Sequence, residues 1–166
     1  HRGPDAAGFW LDGSVGLAHT RLSIIDLDGS NQPMATANGR RHLVFNGEIL
    51  NYRDLRRELA YPFQTEGDTE VLLALYEQYG PGGVDKLRGQ FAYAIFDSDT
   101  GDTHLFRDRM GILPLYYYSD AKRFAFASEI KALLPLINSP KVDDDSLHDY
   151  LAHRAVPSED SRISFS

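Results

Sequence analysis

The sequence predicts an α+β fold in which antiparallel sheets are covered by helices. Short runs of β-branched and aromatic residues follow one another across tight-turn sequences such as Asp12-Gly13 and 99–102, which is typical of hairpins. Other stretches place apolar residues at helical spacing, most clearly 71–79 and 144–153. Together these patterns indicate about seven or eight short strands and three or four helices.

The elements are predicted in the following order along the chain. Strands are expected at 8–11, 15–22, 42–45, 90–97, 103–107, 113–118 and 124–127. Helices are expected at 49–60, 69–79, 128–134 and 144–153. Pro62 closes the first helix, and Asp68 or Thr69 is a good N-cap for the second. The Asp-, Gly-, Asn- and Ser-rich stretch at 27–40 is typical of a long loop.

Composition narrows the class of protein. The chain has 166 residues, 42% of them hydrophobic, which suits one domain with a substantial core. Its 17 Lys and Arg against 24 Asp and Glu give a net charge of −7, which argues against a nucleic-acid surface. No apolar run approaches the roughly 18 residues of a membrane helix, and no signal peptide is recognisable. Because the chain begins at His1 and ends without a clear stop, we expect a piece of a longer protein.

The stretch 43–52 is the most informative part of the sequence. An apolar run ends at Asn46-Gly47, which usually indicates a hairpin turn. The residues beyond it follow helical rather than alternating spacing, so a strand-to-helix connection is the other interpretation. Asn46, Gly47 and Glu48 would then offer a side-chain amide, a backbone N–H and a carboxylate, which suit a developing oxyanion and a substrate amine.

Two further residues join this hypothesis. Arg21 lies within an apolar stretch, where a guanidinium pairs with a carboxylate of either the protein or a ligand. Asp68 can cap the second helix, and a carboxylate at a helix start can also accept a substrate ammonium. With Asn46, Gly47 and Glu48, these residues would suit an amino-acid amide such as glutamine.

Other chemistries find no support in the sequence. The six histidines lack the partners and spacing of a zinc site, and no metal site is expected. The absence of cysteine excludes disulfides and thiolate metal sites. The glycines at 80–83 follow a helix rather than a strand, so they do not form a phosphate loop. No nucleophile is apparent.

The chain resembles the class II glutamine amidotransferase domain of glutamine-dependent asparagine synthetases. The motifs that carry the resemblance occur in the family's order and cover nearly the whole chain: His1-Arg2-Gly3-Pro4-Asp5, Ala18-His19-Thr20-Arg21-Leu22-Ser23-Ile24-Ile25-Asp26, Phe45-Asn46-Gly47-Glu48-Ile49, Gly67-Asp68-Thr69-Glu70-Val71, Gly89-Gln90-Phe91-Ala92 and 107–116. Pro4 and the run after Arg21 favour the asparagine synthetase branch. The resemblance implies an N-terminal-nucleophile hydrolase, a four-layer αββα sandwich of two antiparallel sheets between helices.

The resemblance also implies roles for individual residues. Arg21 would bind the α-carboxylate of glutamine, and Leu22, Ser23, Ile24 and Ile25 would form the adjoining pocket wall. The Asn46 side chain and the Gly47 N–H would form the oxyanion hole. Glu48 and Asp68 would hold the α-ammonium.

The sequence departs from the family in one respect, because the family's nucleophile is an N-terminal cysteine and this chain has none. We expect that residue upstream of His1, so that the domain is truncated at its N-terminus and inactive alone. The amidotransferase domain is expected at 1–134. Residues 135–166 would form its end and a linker to a synthetase domain that uses ATP and Mg to amidate aspartate.

The resemblance implies further properties of the longer protein. It indicates a cytoplasmic ligase of asparagine biosynthesis that binds glutamine, and it also allows a homodimer. No cofactor is expected in this domain. The alternative is an amidotransferase-like domain without a nucleophile, which binds or acts as a scaffold within a related synthetase.

Overall fold

The computed structural model describes residues 6–21, 31–138 and 140–154. The chain divides into two compact units, His1–Leu115 and Tyr116–Ser166. Every strand pairing described is antiparallel, and the predicted α+β class is confirmed. The expected domain boundary after residue 134 stays a prediction.

The first unit begins with a hairpin of β1 (Ala6–Asp12) and β2 (Val15–Arg21). Asp12 pairs with Val15, so the two turn residues are Gly13 and Ser14 rather than the predicted Asp12-Gly13. Gly13 has a φ of 56°, a conformation that a tight two-residue turn requires and that glycine adopts without strain.

A four-stranded sheet follows, with strand order β3-β4-β5-β6. Its strands are β3 (Met34–Ala35), β4 (Arg41–Ile49), β5 (Gly89–Asp97) and β6 (Asp102–Arg107). The described part of the predicted 27–40 loop therefore contains a short strand, which pairs with β4 through Met34 and Leu43.

Two helices connect β4 to β5. They are α1 (Tyr52–Glu58) and α2 (Thr69–Tyr79), and a 3-10 helix at Gly80–Lys86 follows them. The prediction of a helix from residue 49 is wrong, because Ile49 still pairs with Gly89 and the Leu50 N–H donates to the Arg88 carbonyl at 2.7 Å. The Asn51 side chain also accepts from the Arg88 N–H at 2.9 Å, which holds the chain at the sheet edge before α1 begins.

The core lies between α2 and one face of the four-stranded sheet. Alternate residues of β4 and β5 point to this face, as period-2 geometry requires, and they pack against buried residues of α2. The cluster includes Leu43, Phe45, Ile49, Phe91, Tyr93, Ile95, Val71, Leu72 and Leu75. The first hairpin covers the opposite face, where the Trp10 ring stacks on His42 at 3.8 Å.

The described residues of the second unit form a hairpin and two α-helices. Strands β7 (Tyr116–Ser119) and β8 (Phe124–Ala127) pair with each other, and α3 (Ile130–Leu133) and α4 (Asp144–His153) follow. The helix α4 has the predicted bounds, and its N-cap Asp143 accepts a hydrogen bond from the Ser146 N–H at 2.8 Å. None of the described helices is long and apolar enough to cross a membrane.

Two predicted elements of this region are shorter than expected. The strand predicted from residue 113 begins at Tyr116, because the backbone groups of Leu113 bond to side chains and Pro114 has no N–H. The helix predicted at 128–134 is α3 followed by a 3-10 turn at Leu134–Leu136.

Candidate functional site

The site is built on one edge of β4. The backbone N–H and C=O groups of odd-numbered residues in this strand point away from β5. At the end of the strand, the N–H of Leu50 rather than that of Ile49 bonds to Arg88. Opposite Gly47, Phe91 directs both its N–H and its carbonyl to Asp108 instead of to β4. Toward its N-terminal end this edge pairs with β3. Beyond that pairing, the N–H groups of Phe45, Gly47 and Ile49 point to the same side, away from β5.

Two of these three N–H groups donate hydrogen bonds to side chains. The Phe45 N–H donates to Gln32 Oε1 at 2.6 Å, and the Ile49 N–H donates to Asp68 Oδ2 at 3.0 Å. The Gly47 N–H lies between them, about 6.8 Å along the strand from each. No described side chain accepts a hydrogen bond from it. The edge therefore presents a backbone donor flanked by two fixed neighbours.

Glycine is required at position 47 by close approach of the backbone. Its φ is 143°, and a Cβ built there would lie 2.2 Å from the Gln90 carbonyl oxygen and 2.8 Å from the Phe91 Cα. These atoms belong to β5, so they cannot rotate away. The prediction that the strand ends at Asn46-Gly47 is wrong for this reason: the glycine keeps the chain within the ladder up to Ile49 instead of turning it.

Asn46 and Glu48 share the sheet face opposite the core. Phe45 and Ile49 belong to the core cluster, so alternation places Asn46 and Glu48 on the face that the first hairpin covers. Asn46 is half-buried and Glu48 is exposed. The His19 Nε2 contacts the Phe45 carbonyl at 3.1 Å, which ties β2 to β4 beside Asn46.

The sequence predicted Asp68 or Thr69 as the N-cap of α2. Asp68 is the N-cap residue, but its side chain makes no capping hydrogen bond to the helix. Its carboxylate bonds instead to Ile49, a residue of β4 that is distant in the sequence. Burial raises the pKa of Asp68, its hydrogen bond from Ile49 acts in the opposite direction, and the Glu48 carboxylate adds to the rise. Two carboxylates close together favour a cation between them.

Glu70 holds the segment before Asp68, a role that the sequence patterns did not predict. Its buried carboxylate accepts from the Thr65 N–H at 2.7 Å, from the Thr65 hydroxyl at 2.8 Å and from the Gln64 N–H at 2.9 Å. The contact is local, and an acidic residue just inside a helix start is a signal for it.

Asp108 performs a similar task at the end of β6, and sequence reasoning missed it too. Its carboxylate accepts from the N–H groups of Ile112 at 2.9 Å, Leu113 at 3.1 Å and Phe91 at 3.2 Å. Burial would raise the pKa of Asp108, but these donors together with Met110 lower it. The carboxylate is thus ionised at neutral pH.

The structure brings together only part of the predicted site. Asn46, Gly47 and Glu48 are consecutive on β4, and Asp68 binds the residue that follows them. Arg21 ends β2 opposite Ala6, but the predicted wall residues at 22–25 lie outside the described residues. Within the described ranges, no group of three or more His, Cys, Asp or Glu side chains could hold a metal ion.

This arrangement suits a small polar ligand that carries both an amide and an ammonium. A backbone N–H at an open position can stabilise negative charge on a carbonyl oxygen, and paired carboxylates attract a cation. The fold and the site thus define an α+β domain that gathers a backbone donor, a side-chain amide and two carboxylates at the edge of its sheet.

Comparison with known proteins identifies the family. The chain belongs to the glutamine amidotransferase domain family, whose model matches residues 1–165. It is 42% identical to the glutamine-hydrolysing asparagine synthetase 1 of Bacillus subtilis (strain 168), over 95% of this chain and 25% of that protein. It is 43% identical to the glutamine-hydrolysing asparagine synthetase B of Escherichia coli (strain K12), over 85% of this chain and 26% of that protein.

The chain thus spans about a quarter of the length of these relatives. Its fold is similar to that of the glutamine phosphoribosylpyrophosphate amidotransferase of B. subtilis, with a TM-score of 0.60 and 25% sequence identity over 71% of this chain and 28% of that one. The resemblance inferred from the motifs is confirmed at the level of the family.

Proposed function

We propose that this chain is the glutamine-hydrolysing part of an asparagine synthetase, and that it releases ammonia from glutamine for the ATP-dependent amidation of aspartate. The observation that carries the proposal is the Gly47 N–H, which bonds to no described side chain and lies between two N–H groups that do, next to Asn46, Glu48 and Asp68. The family match and the identity to the two synthetases support it.

In the proposed reaction, the Gly47 N–H and the Asn46 side-chain amide stabilise the oxyanion that forms when the carboxamide carbon of glutamine is attacked. Glu48 and Asp68 bind the α-ammonium, and Arg21 binds the α-carboxylate beside the wall formed by 22–25. Binding both charged groups fixes the side-chain amide against the two oxyanion donors.

The nucleophile would come from outside these 166 residues, since they contain no cysteine. Family likeness suggests a cysteine whose thiolate forms a thioester with the glutamyl group, releases ammonia and is then regenerated by water. The complete domain would be a four-layer αββα sandwich, of which the first hairpin, the four-stranded sheet and α2 would be parts. We further propose a cytoplasmic protein in which the ammonia passes to an attached synthetase domain that uses ATP and Mg.

The test is release of glutamate from L-glutamine by the full-length product that carries this chain. Asn46→Ala should lower the rate about 10²–10³-fold, the usual loss on removing one oxyanion donor. The matched control is Asn38→Ala, which changes the asparagine of the chain's other Asn-Gly pair. That pair lies in an exposed turn, so the substitution should leave the rate unchanged. Equal rates in wild type and Asn46→Ala would contradict the assignment.

The absence of cysteine favours a second candidate, a domain that binds or acts as a scaffold without hydrolysing glutamine. A full-length product that binds glutamine and releases no glutamate would support this alternative. In that case Asn46→Ala should have little effect on affinity, whereas Asp68→Asn should still weaken binding.

A further inference from the structure

We propose that Asp108 is a positioning residue for the oxyanion donor at Gly47, an inference that rests on the proposed function. Asp108 does not belong to the candidate glutamine site. It acts through Phe91, which lies directly opposite Gly47 in the β4–β5 ladder.

The first step is the contact between Asp108 and Phe91. The Asp108 N–H donates to the Phe91 carbonyl at 2.8 Å, and the Phe91 N–H donates to Asp108 Oδ2 at 3.2 Å. Asp108 thus bonds both backbone groups of Phe91, one through its main chain and one through its carboxylate. A buried carboxylate with several N–H partners is a rigid anchor, because moving it would leave donors unpaired.

The second step is the loop that holds Asp108 in turn. The N–H groups of Ile112 and Leu113 also donate to its carboxylate, so residues 108–113 fold around that group. The Arg107 guanidinium bonds to the carbonyls of Leu113 and Gly111 and closes the loop from outside. Gly111 has a φ of 61° and lies so close to Arg107 that a Cβ would meet its guanidinium carbon at 3.2 Å.

The backbone of Phe91 lies directly against that of Gly47, so a displacement of one moves the other. A Cβ at Gly47 would lie within 3 Å of both the Gln90 carbonyl oxygen and the Phe91 Cα, so the two backbones touch without a side chain between them. A shift of Phe91 is therefore passed directly to Gly47. Catalytic geometry tolerates such shifts poorly, because a misplacement of about 1 Å can cost roughly 10²-fold in rate.

The test compares Asp108→Asn with Asp102→Asn, which changes an exposed carboxylate at the start of β6, the strand that Asp108 follows. Asparagine has the same shape but replaces one acceptor oxygen with an NH₂ group facing N–H donors. Labelling with ¹³C′-Asn and ¹⁵N-Gly selects the Asn-Gly amides, and the chain has only two, Gly39 and Gly47. We expect Asp108→Asn to move the Gly47 signal and leave that of Gly39, while Asp102→Asn moves neither.

Kinetics of the full-length product supply the second readout. Asp108→Asn should lower kcat for glutamine hydrolysis about 10–100-fold, normalised to the folded fraction, because the oxyanion donor is displaced. KM for glutamine should stay within about threefold, since a contact made only in the transition state leaves ground-state binding in place. Asp108→Glu, which keeps the charge, should give a smaller loss and replaces the Asn variant if that one fails to fold.

An unmoved Gly47 signal, or an unchanged kcat, in a folded Asp108 variant overturns this proposal. A wild-type product that releases no glutamate overturns the proposed function instead. Movement of the Gly47 signal in that case would still establish the coupling between the two positions.

Discussion

Gly47→Ala tests the backbone geometry on which the site depends. The new Cβ would lie 2.2 Å from the Gln90 carbonyl oxygen, where ordinary contacts begin at 3.4 Å, and both neighbours it meets are backbone atoms. The strands β4 and β5 would have to separate locally. Overpacking of this kind typically lowers the free energy of unfolding by about 1–3 kcal/mol. The positive φ of 143° adds a conformational penalty of about 1–2 kcal/mol for alanine.

Together these effects predict a loss of about 3 kcal/mol in the free energy of unfolding. For a protein of this size that corresponds to a fall in Tm of about 6–12 °C. Gly101→Ala is the matched control, because Gly101 also has a positive φ, 78°, but a Cβ there meets nothing within 4 Å. It should lose only the conformational part, about 3–6 °C. Thermal unfolding followed by circular dichroism measures both, and equal losses in the two variants would refute the close-approach argument.

The remaining predictions concern the side chains of Asp68, Glu70 and Trp10. Asp68→Asn should raise the Tm of the unliganded protein at neutral pH, because burial and Glu48 raise the pKa of Asp68 and make its ionised form costly. This gain in Tm should vanish below about pH 4, where the wild-type carboxyl is protonated in both the folded and the unfolded state. The same variant should increase KM for glutamine in the full-length product, and an unchanged KM would contradict the assignment of Asp68. Glu70→Gln leaves a buried donor facing N–H groups and should cost about 1–3 kcal/mol in denaturant unfolding, so an unchanged midpoint would be inconsistent with its contacts. Trp10→Ala removes the ring that stacks on the sheet and should cost about 2–4 kcal/mol, whereas Phe9→Ala, on the exposed side of the same strand, should cost less than about 0.5 kcal/mol; similar losses would show that the hairpin packs differently.

Elements set by local pattern were predictable from the sequence. The first hairpin, β5, β6, α2 and α4 follow from alternation, helical spacing and turn residues within the segments themselves. The central motif at 46–48 was also recognisable as a candidate site, because it combines an amide, a backbone donor and a carboxylate. Asp68 joined it as a second carboxylate, and the structure places it against Ile49.

The sequence-based predictions fail where a contact with a residue distant in the sequence determines the local structure. Asn-Gly usually indicates a turn, but at Gly47 the close approach of β5 requires glycine inside a strand. Asp68 has the sequence signature of a cap, yet its carboxylate bonds to Ile49, 19 residues earlier. Asp108 was missed because one of its partners, Phe91, lies 17 residues away and on another strand. Sequence spacing carries no information about such pairs.

The most direct test of the site is a titration of the 166-residue chain, labelled with ¹³C′-Asn and ¹⁵N-Gly, with L-glutamine. Because the chain contains no cysteine, we expect the ligand to bind without being hydrolysed. We expect the Gly47 amide signal to shift saturably, while the signal of Gly39, which lies in an exposed turn, stays in place as a reference. D-glutamine, which cannot place its amide, ammonium and carboxylate together in the same way, should have little effect. A Gly47 signal that stays in place at saturating L-glutamine, or that moves no more than the Gly39 signal, would contradict a glutamine site at the edge of β4.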